Sequence, residues 1–503
     1  MARDFRAVNR SPALIPADPM EWVQKDDFVY LLLHLMESFD FSEFEAQYQL
    51  GGVGRRAYDP KMMVTLLSYA YSQGSFSYRQ IERCCHRDLA FKLICGDDPP
   101  DHTAIARFMK RCSPQFVHVF EQVLDVCVEV GMVNVGVVAI DGTKIGANAS
   151  LQANRSPETL HRMAEEMMEE ADRINAAEDA RFGDRRGDEL PLEWQNDPGR
   201  PAKLRAFLDR KRRVDEALER AKPVARKSFK KDVNAVEGAV RKLNAARAAL
   251  EREMRDVQKR RLPDNGERAS RRRSTRKPIK DHVSVVKATQ RVTEMEQHLA
   301  SVEAEVEQRQ KQRKPPKQVK VNLTDPDSKP MPLRGGGYIQ GYNAQVSAAD
   351  DQIVIATDVT TSTNDVGSFA PMMEASVAAV DRHKPGDKIG TCVLDAGYCS
   401  EDAIRADGPD RLIAVGRDPA KSKAPRTNPY ILAMGERLKP GTPGRELYKR
   451  RAVVESVFGT IKEAMGFRRF GRRGLPAVQD QWTLVTAVFN MRRLAAHLGF
   501  TLG

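Results

Sequence analysis

The chain has 503 residues, 41% of them hydrophobic and 30% charged, with a net charge of +12 and a pI near 9.3. That length and apolar content support two to four packed domains and exclude a disordered chain or a small disulfide scaffold. The basic excess favours a polyanionic partner; seven cysteines without a Cys-x2-Cys pair, and no apolar run near membrane-span length, predict reduced thiols, a cytoplasmic location and no membrane partner.

Residues from about 20 to 130 read as helical. Pro60-Lys61-Met62 opens one amphipathic helix and Ser77-Tyr78-Arg79 another, while Asp101 caps a helix through Phe108. Ser113-Pro114 offers a cap and a first-turn proline for a helix through Val130. Helices this short suit either a helix-turn-helix that reads a DNA end or a bundle bracing another domain. His86, beside Cys84-Cys85, has no zinc-site spacing and is not expected to bind metal.

The apolar run Val135–Ile140 ends at Asp141, which reads as the C-terminal end of a buried strand. An insert follows, from about 151 to 320. Residues 221–320 carry 28 Lys+Arg against 13 Asp+Glu, a local +15 that exceeds the charge of the whole chain. Within them Val236, Val240, Leu243, Leu250, Met254 and Val257 follow one heptad-like spacing, and Val292, Met295, Leu299, Val302 and Val306 another. The expectation is a coiled-coil hairpin with a cationic tip, Arg271, Arg272, Arg273 and Arg276, which is either a solvated charge run or a DNA contact.

Past the insert, Gly335-Gly336-Gly337 reads as a turn, and strands are expected at 338–347 and 352–360, with a helix near 368–381. A strand through Cys392-Val393-Leu394 ends at Asp395, and another covers Leu412–Val415. Asp358 and Asp365 are competing acids, ranked below Asp395 because Asp358 falls on an edge strand. Next comes Tyr448-x2-Arg451-x3-Glu455-x6-Lys462, which on one regular helix points all four groups the same way. The final helix, with Trp482, Val488 and Phe489, reads as core. Asp141, Asp395 and Glu455 together make a cluster that repels itself when empty and suits hard divalent cations such as Mg2+.

The order Asp, Asp, Glu, with the glutamate inside Tyr-Arg-Glu-Lys, resembles the DDE transposases of bacterial insertion sequences. Thr324-Asp325-Pro326-Asp327 and Gly341-Tyr342-Asn343-Ala344-Gln345 resemble the entry to the catalytic domain in the long-insert branch, and Tyr58-Asp59-Pro60 with Asp101-His102-Thr103 the helical domain before it. The resemblance implies an α/β fold: a ribonuclease H-like mixed sheet interrupted by a long helical, coiled-coil-like insert and preceded by an all-helical N-terminal domain. The boundaries are 1–130 for the helical domain, a possible binder of DNA ends, 131–150 with 321–503 for the catalytic domain, and 151–320 for the insert. It implies catalytic and metal-holding roles for Asp141, Asp395 and Glu455, two Mg2+ ions that Mn2+ can replace, and DNA contacts by Tyr448, Arg451 and Lys462. The implied partners are terminal inverted repeats and target DNA, bound by a homodimer in the nucleoid. The alternatives are an inert, transposase-derived DNA-binding regulator and a structure-selective nuclease.

Overall fold

The run before Asp141 forms the middle of a mixed sheet. Its strands are β1 (Val137–Gly146), β2 (Lys329–Pro332), β3 (Tyr338–Ala349), β4 (Val354–Thr360), β5 (Thr391–Leu394) and β6 (Asp410–Ile413). The order is β2–β3–β1–β5–β6, with β4 also paired to β3. β1, β3 and β4 run antiparallel in succession, and β5 and β6 then run parallel beside β1. This computed structural model describes residues 19–48 except 22, 57–182 except 97, 200–221, 226–259, 278–312, 320–416 except 334, and 428–502.

Val137–Ile140 and Thr391–Leu394 are buried throughout, as strands covered on both faces must be. β1 does not stop at Asp141. Its parallel pairing with β5 ends at Ile140↔Leu394, but its antiparallel pairing with β3 continues to Gly146↔Gly341, so the strand runs five residues further than the apolar run suggests. The helices Phe369–His383 and Leu475–Leu498 pack on the sheet. Ser376 Oγ meets Ser347 Oγ at 2.7 Å, and Trp482, fully buried, donates its indole N–H to the Gln345 carbonyl at 3.0 Å. Gly336 and Gly337, with φ of 90° and 80°, turn β2 into β3.

The N-terminal helices are defined by their caps. Asp59 accepts from Lys61 N at 2.7 Å ahead of Pro60–Ser72, and Asp101 accepts from Ala104 N at 2.7 Å ahead of His102–Cys112. Ser113 does not cap: Ser113–Gln115 is a 3-10 turn before the helix Phe116–Glu129, and the Ser113 hydroxyl donates instead to Asp480 at 2.6 Å. Phe28, Leu67, Phe116 and Val123 join Val138, Val346 and Phe489 in one continuous core, so the helical region and the sheet bury apolar surface together. All seven cysteines are free, four of them buried.

The chain divides into two compact units at Asn154/Arg155 and Val321/Asn322. The second unit holds the helices Pro157–Phe182, Arg200–Ala221, Arg226–Lys259 and Val283–Gln312. Leu160, Met167, Val214 and Ala217 are buried in the first two. In the third, Ala239, Leu243, Ala246 and Val257 are buried, whereas Val240 and Met254 are exposed; in the fourth, Val285 and Val306 are buried. The buried positions keep a 4-3 alternation through Ala239, Leu243 and Ala246, with Val257 two heptads after Leu243, so two alanines join the seam and Val240 and Met254 fall beside it. Arg247 meets Glu296 at 2.8 Å beside it. The Val236 side chain and the tip, Arg271, Arg272, Arg273 and Arg276, lie outside the described residues. Among the described residues, no helix is long and apolar enough to cross a membrane.

Candidate active site

Asp141 and Asp395 each follow one member of the pair Ile140↔Leu394 on neighbouring parallel strands, so their backbones stand about one strand spacing apart, ~4.8 Å. The Asp141 carboxylate is buried; Oδ1 accepts from Gly142 N at 2.8 Å and Oδ2 from Arg451 Nη1 at 2.8 Å. Burial first, and then the charge of Asp395, push its carboxyl up to about 6. Asp395 starts the tight turn Ala396–Tyr398, and its Oδ1 accepts from Gly397 N at 2.7 Å.

The segment carrying Tyr448, Arg451, Glu455 and Lys462 is not one α-helix. It passes from an α-helix (Pro443–Tyr448) through a 3-10 turn (Lys449–Arg451) and a second α-helix (Ala452–Gly459) into a π-turn (Thr460–Ala464). The widened turn, closed by Met465 N to Thr460 O at 2.9 Å, lets Ile461, Met465 and Phe467 all bury. Regular helical spacing therefore does not describe the face, yet Arg451 and Lys462 still reach β1. Arg451, 17% exposed, bonds Asp141 and also Glu455, which is 59% exposed. Burial opposes the Arg451 charge, and Asp141, Tyr448, Glu455 and Asp395 outweigh it, so its pKa is held above the usual value. The Lys462 ammonium donates to Thr143 Oγ1, two residues along β1 from Asp141. Half-buried Tyr448 has its phenol pushed up by burial, with Asp395 and Asp141 adding to the shift.

A second group of polar side chains faces these acids and was undervalued in the sequence. Asp365, ranked below Asp395 there, accepts from Asn343 Nδ2 at 2.6 Å and Gln345 Nε2 at 3.0 Å, with Lys144 Nζ 3.7 Å away. Tyr398 donates its hydroxyl to Gln345 Oε1. Alternation along β3 is the signal that could have found Asn343 and Gln345: two buried amides at i and i+2, on one face of the strand and paired with Lys144 and Gly142 of β1. Asp358 instead lies across from Gln345 on β4, two strands from Gly142. Among the described residues, no three His, Cys, Asp or Glu side chains converge into a metal cage; Arg451 bridges Asp141 and Glu455 in that space.

The mixed sheet thus sets two aspartates side by side, with a glutamate reached through an arginine. A family described as "Transposase domain (DUF772)" matches residues 17–111, and one described as "Transposase DDE domain" matches residues 423–495. The second match contains Tyr448, Arg451, Glu455 and Lys462 and does not reach Asp141 or Asp395. No curated protein and no solved structure matches the chain. The two family matches support a DDE transposase of insertion-sequence type.

Proposed function

We propose that the chain binds the terminal inverted repeats of an insertion sequence, hydrolyses the phosphodiester at each end, and joins the freed 3′ ends to target DNA, with Asp141, Asp395 and Glu455 as its catalytic carboxylates. The observation that carries this reading is the register Ile140↔Leu394, which sets Asp141 beside Asp395 although 254 positions separate them in sequence. The strand sequence of three antiparallel strands and then two parallel ones beside the first supports a ribonuclease H-like sheet.

The donor chemistry fits divalent metal. All candidate ligands are carboxylate oxygens, burial and then the charge of Asp395 raise the Asp141 pKa so that opposite charge there is favoured, and the Arg451 guanidinium already supplies a cation between Asp141 and Glu455. Asp141, Asp395 and Glu455 would hold Mg2+, or Mn2+ in its place. Bound ions would neutralise charge at the scissile phosphate and lower the pKa of the attacking water. With DNA bound, Arg451 can grip a phosphate through its fork, and Lys462 and Tyr448 present a charge and a hydroxyl to the strand beside the scissile bond. The helical region 1–130 and the basic insert 151–320 would bind DNA ends and backbone, and two chains would pair two ends in a homodimer on DNA in the nucleoid.

The test is cleavage of a duplex carrying the element's terminal repeat, with and without Mg2+. Nicking at the repeat boundary that disappears with EDTA supports the proposal. Tight end binding without cleavage at any Mg2+ or Mn2+ concentration would favour the regulator instead.

A further inference from the structure

We infer that Asp365 is a positioning residue of the active site proposed above, its two carboxylate oxygens fixing the backbones that follow Asp141 and Asp395 relative to one another. The inference rests on that proposal.

Asp365 stands at the N-terminal boundary of the 3-10 turn Val366–Ser368, where an aspartate commonly caps the turn with its side chain. Here no such bond forms; the Asp365 carbonyl accepts from Ser368 N at 2.9 Å, and the carboxylate turns away. Oδ1 is held by the Asn343 and Gln345 amides of β3, which pair with Lys144 and Gly142 of β1. A Cβ placed on Gly142 would lie 2.1 Å from Gln345 Nε2, the amide that holds Asp365, and 2.7 Å from Asp365 Oδ1. A Cβ placed on Gly397 would lie 3.0 Å from Asp365 Oδ2 and 2.9 Å from Asp395 Oδ1. One carboxylate, together with the Gln345 amide that holds it and with Asp395, therefore occupies the space that a side chain would take at both glycines, one residue after Asp141 and two after Asp395. Only glycine allows so close an approach from both sides.

A third acid beside Asp141 and Asp395 raises the repulsion among them, so the arrangement persists only where surrounding groups fix it. Asn343 and Gln345 hold one oxygen, and Lys144 supplies the positive charge. The Lys144 Nζ is buried and makes no hydrogen bond among the described residues, so its charge serves the acidic group at 3.7 Å without being tied to a single oxygen. Asp365 is 18% exposed, and its partners Asn343, Gln345 and Lys144 all stand on β1 and β3.

The experiment uses the full chain and two readouts: single-turnover cleavage of a terminal-repeat duplex, and the shift in melting temperature produced by Mn2+ alone, without DNA. Asp365→Asn keeps the size and replaces one oxygen by a donor. Its metal-free melting temperature is expected to stay near that of the wild type, its Mn2+ shift to shrink, and its cleavage to fall by about 10²-fold, the cost of misplacing reacting groups by ~1 Å. A merely structural loop residue would leave the Mn2+ shift unchanged. Asn343→Ala removes the 2.6 Å anchor without altering any charge and is expected to lower both readouts in the same direction, which keeps the inference testable if Asp365→Asn fails to fold. Wild-type cleavage and a wild-type Mn2+ shift in the folded variants, beside an inactive Asp141→Ala, would overturn this inference and leave the active-site proposal standing. Full cleavage by Asp141→Ala would remove both.

Discussion

Arg451 donates to Asp141 Oδ2 at 2.8 Å and, from its other terminal nitrogen, to Glu455 four residues along the chain. The intrahelical pair alone would contribute only ~0.2–0.5 kcal/mol. Joined to a buried strand carboxylate it becomes a bridge between the sheet and the following helix, a geometry that the planar guanidinium fork allows and a lysine does not. Arg451→Lys is expected to lower cleavage at least about tenfold, the equivalent of one charge-assisted hydrogen bond, with little change in melting temperature. Near-normal turnover would reduce Arg451 to a helix-surface ion pair. Lys462→Ala, which removes the hydrogen bond to Thr143, should weaken retention of the cleaved end in a gel-shift assay.

The carboxylates make a sharper test. Asp141→Ala, Asp395→Ala and Glu455→Ala are each expected to abolish cleavage while end binding stays intact or strengthens, since negative charge near phosphate has been removed. Asp358→Ala, two strands away from Gly142, should cleave nearly as well as the wild type. An active Asp395→Ala beside an inactive Asp358→Ala would overturn the assignment.

Metal-free stability should depend on pH through Asp141. Burial, followed by Asp395, lifts its pKa from 3.8 to about 6, so the folded state holds this proton more tightly than the unfolded chain. The resulting stabilisation is complete below pH ~4 and is lost as pH rises through ~6, up to about 3 kcal/mol. Asp141→Asn should lack this component and be the more stable protein at pH 8 in EDTA. Chemical denaturation at pH 5 and 8 measures it, and parallel slopes for the two proteins would contradict it.

The basic tip is tested through salt. Replacing Arg271, Arg272, Arg273 and Arg276 with alanine should flatten the log–log dependence of DNA affinity on salt by up to ~0.9 for each phosphate that these arginines neutralise. An unchanged slope would make them solvated charges with no part in binding.

Stability of the sheet edge should depend on Asn490. Its amide accepts from Val354 N at 2.9 Å and donates to Val354 O at 2.8 Å, satisfying β4 from the buried face of the last helix. Asn490→Ala is expected to cost about 1–3 kcal/mol, the range for stranding buried polar groups, and denaturant midpoints would register it. A midpoint within error of the wild type would mean that water replaces the amide.

Local chemistry in the sequence was enough to place several elements. Pro60 opens its helix and Asp101 caps another, the apolar runs before Asp141 and Asp395 become strands, and Trp482 with Phe489 enters the core, because capping and burial patterns are properties of short segments. Three things depended on pairing and packing between distant segments. The extension of β1 to Gly146 is decided by β3, which begins nearly 200 positions later. The π-turn after Glu455 forms because Ile461, Met465 and Phe467 compete for one core, which a fixed helical period does not include. The place of Asp365 between Gly142 and Gly397 is fixed by amides on β3 and by two glycines without side chains, and no periodicity along the chain records where a loop carboxylate will meet them.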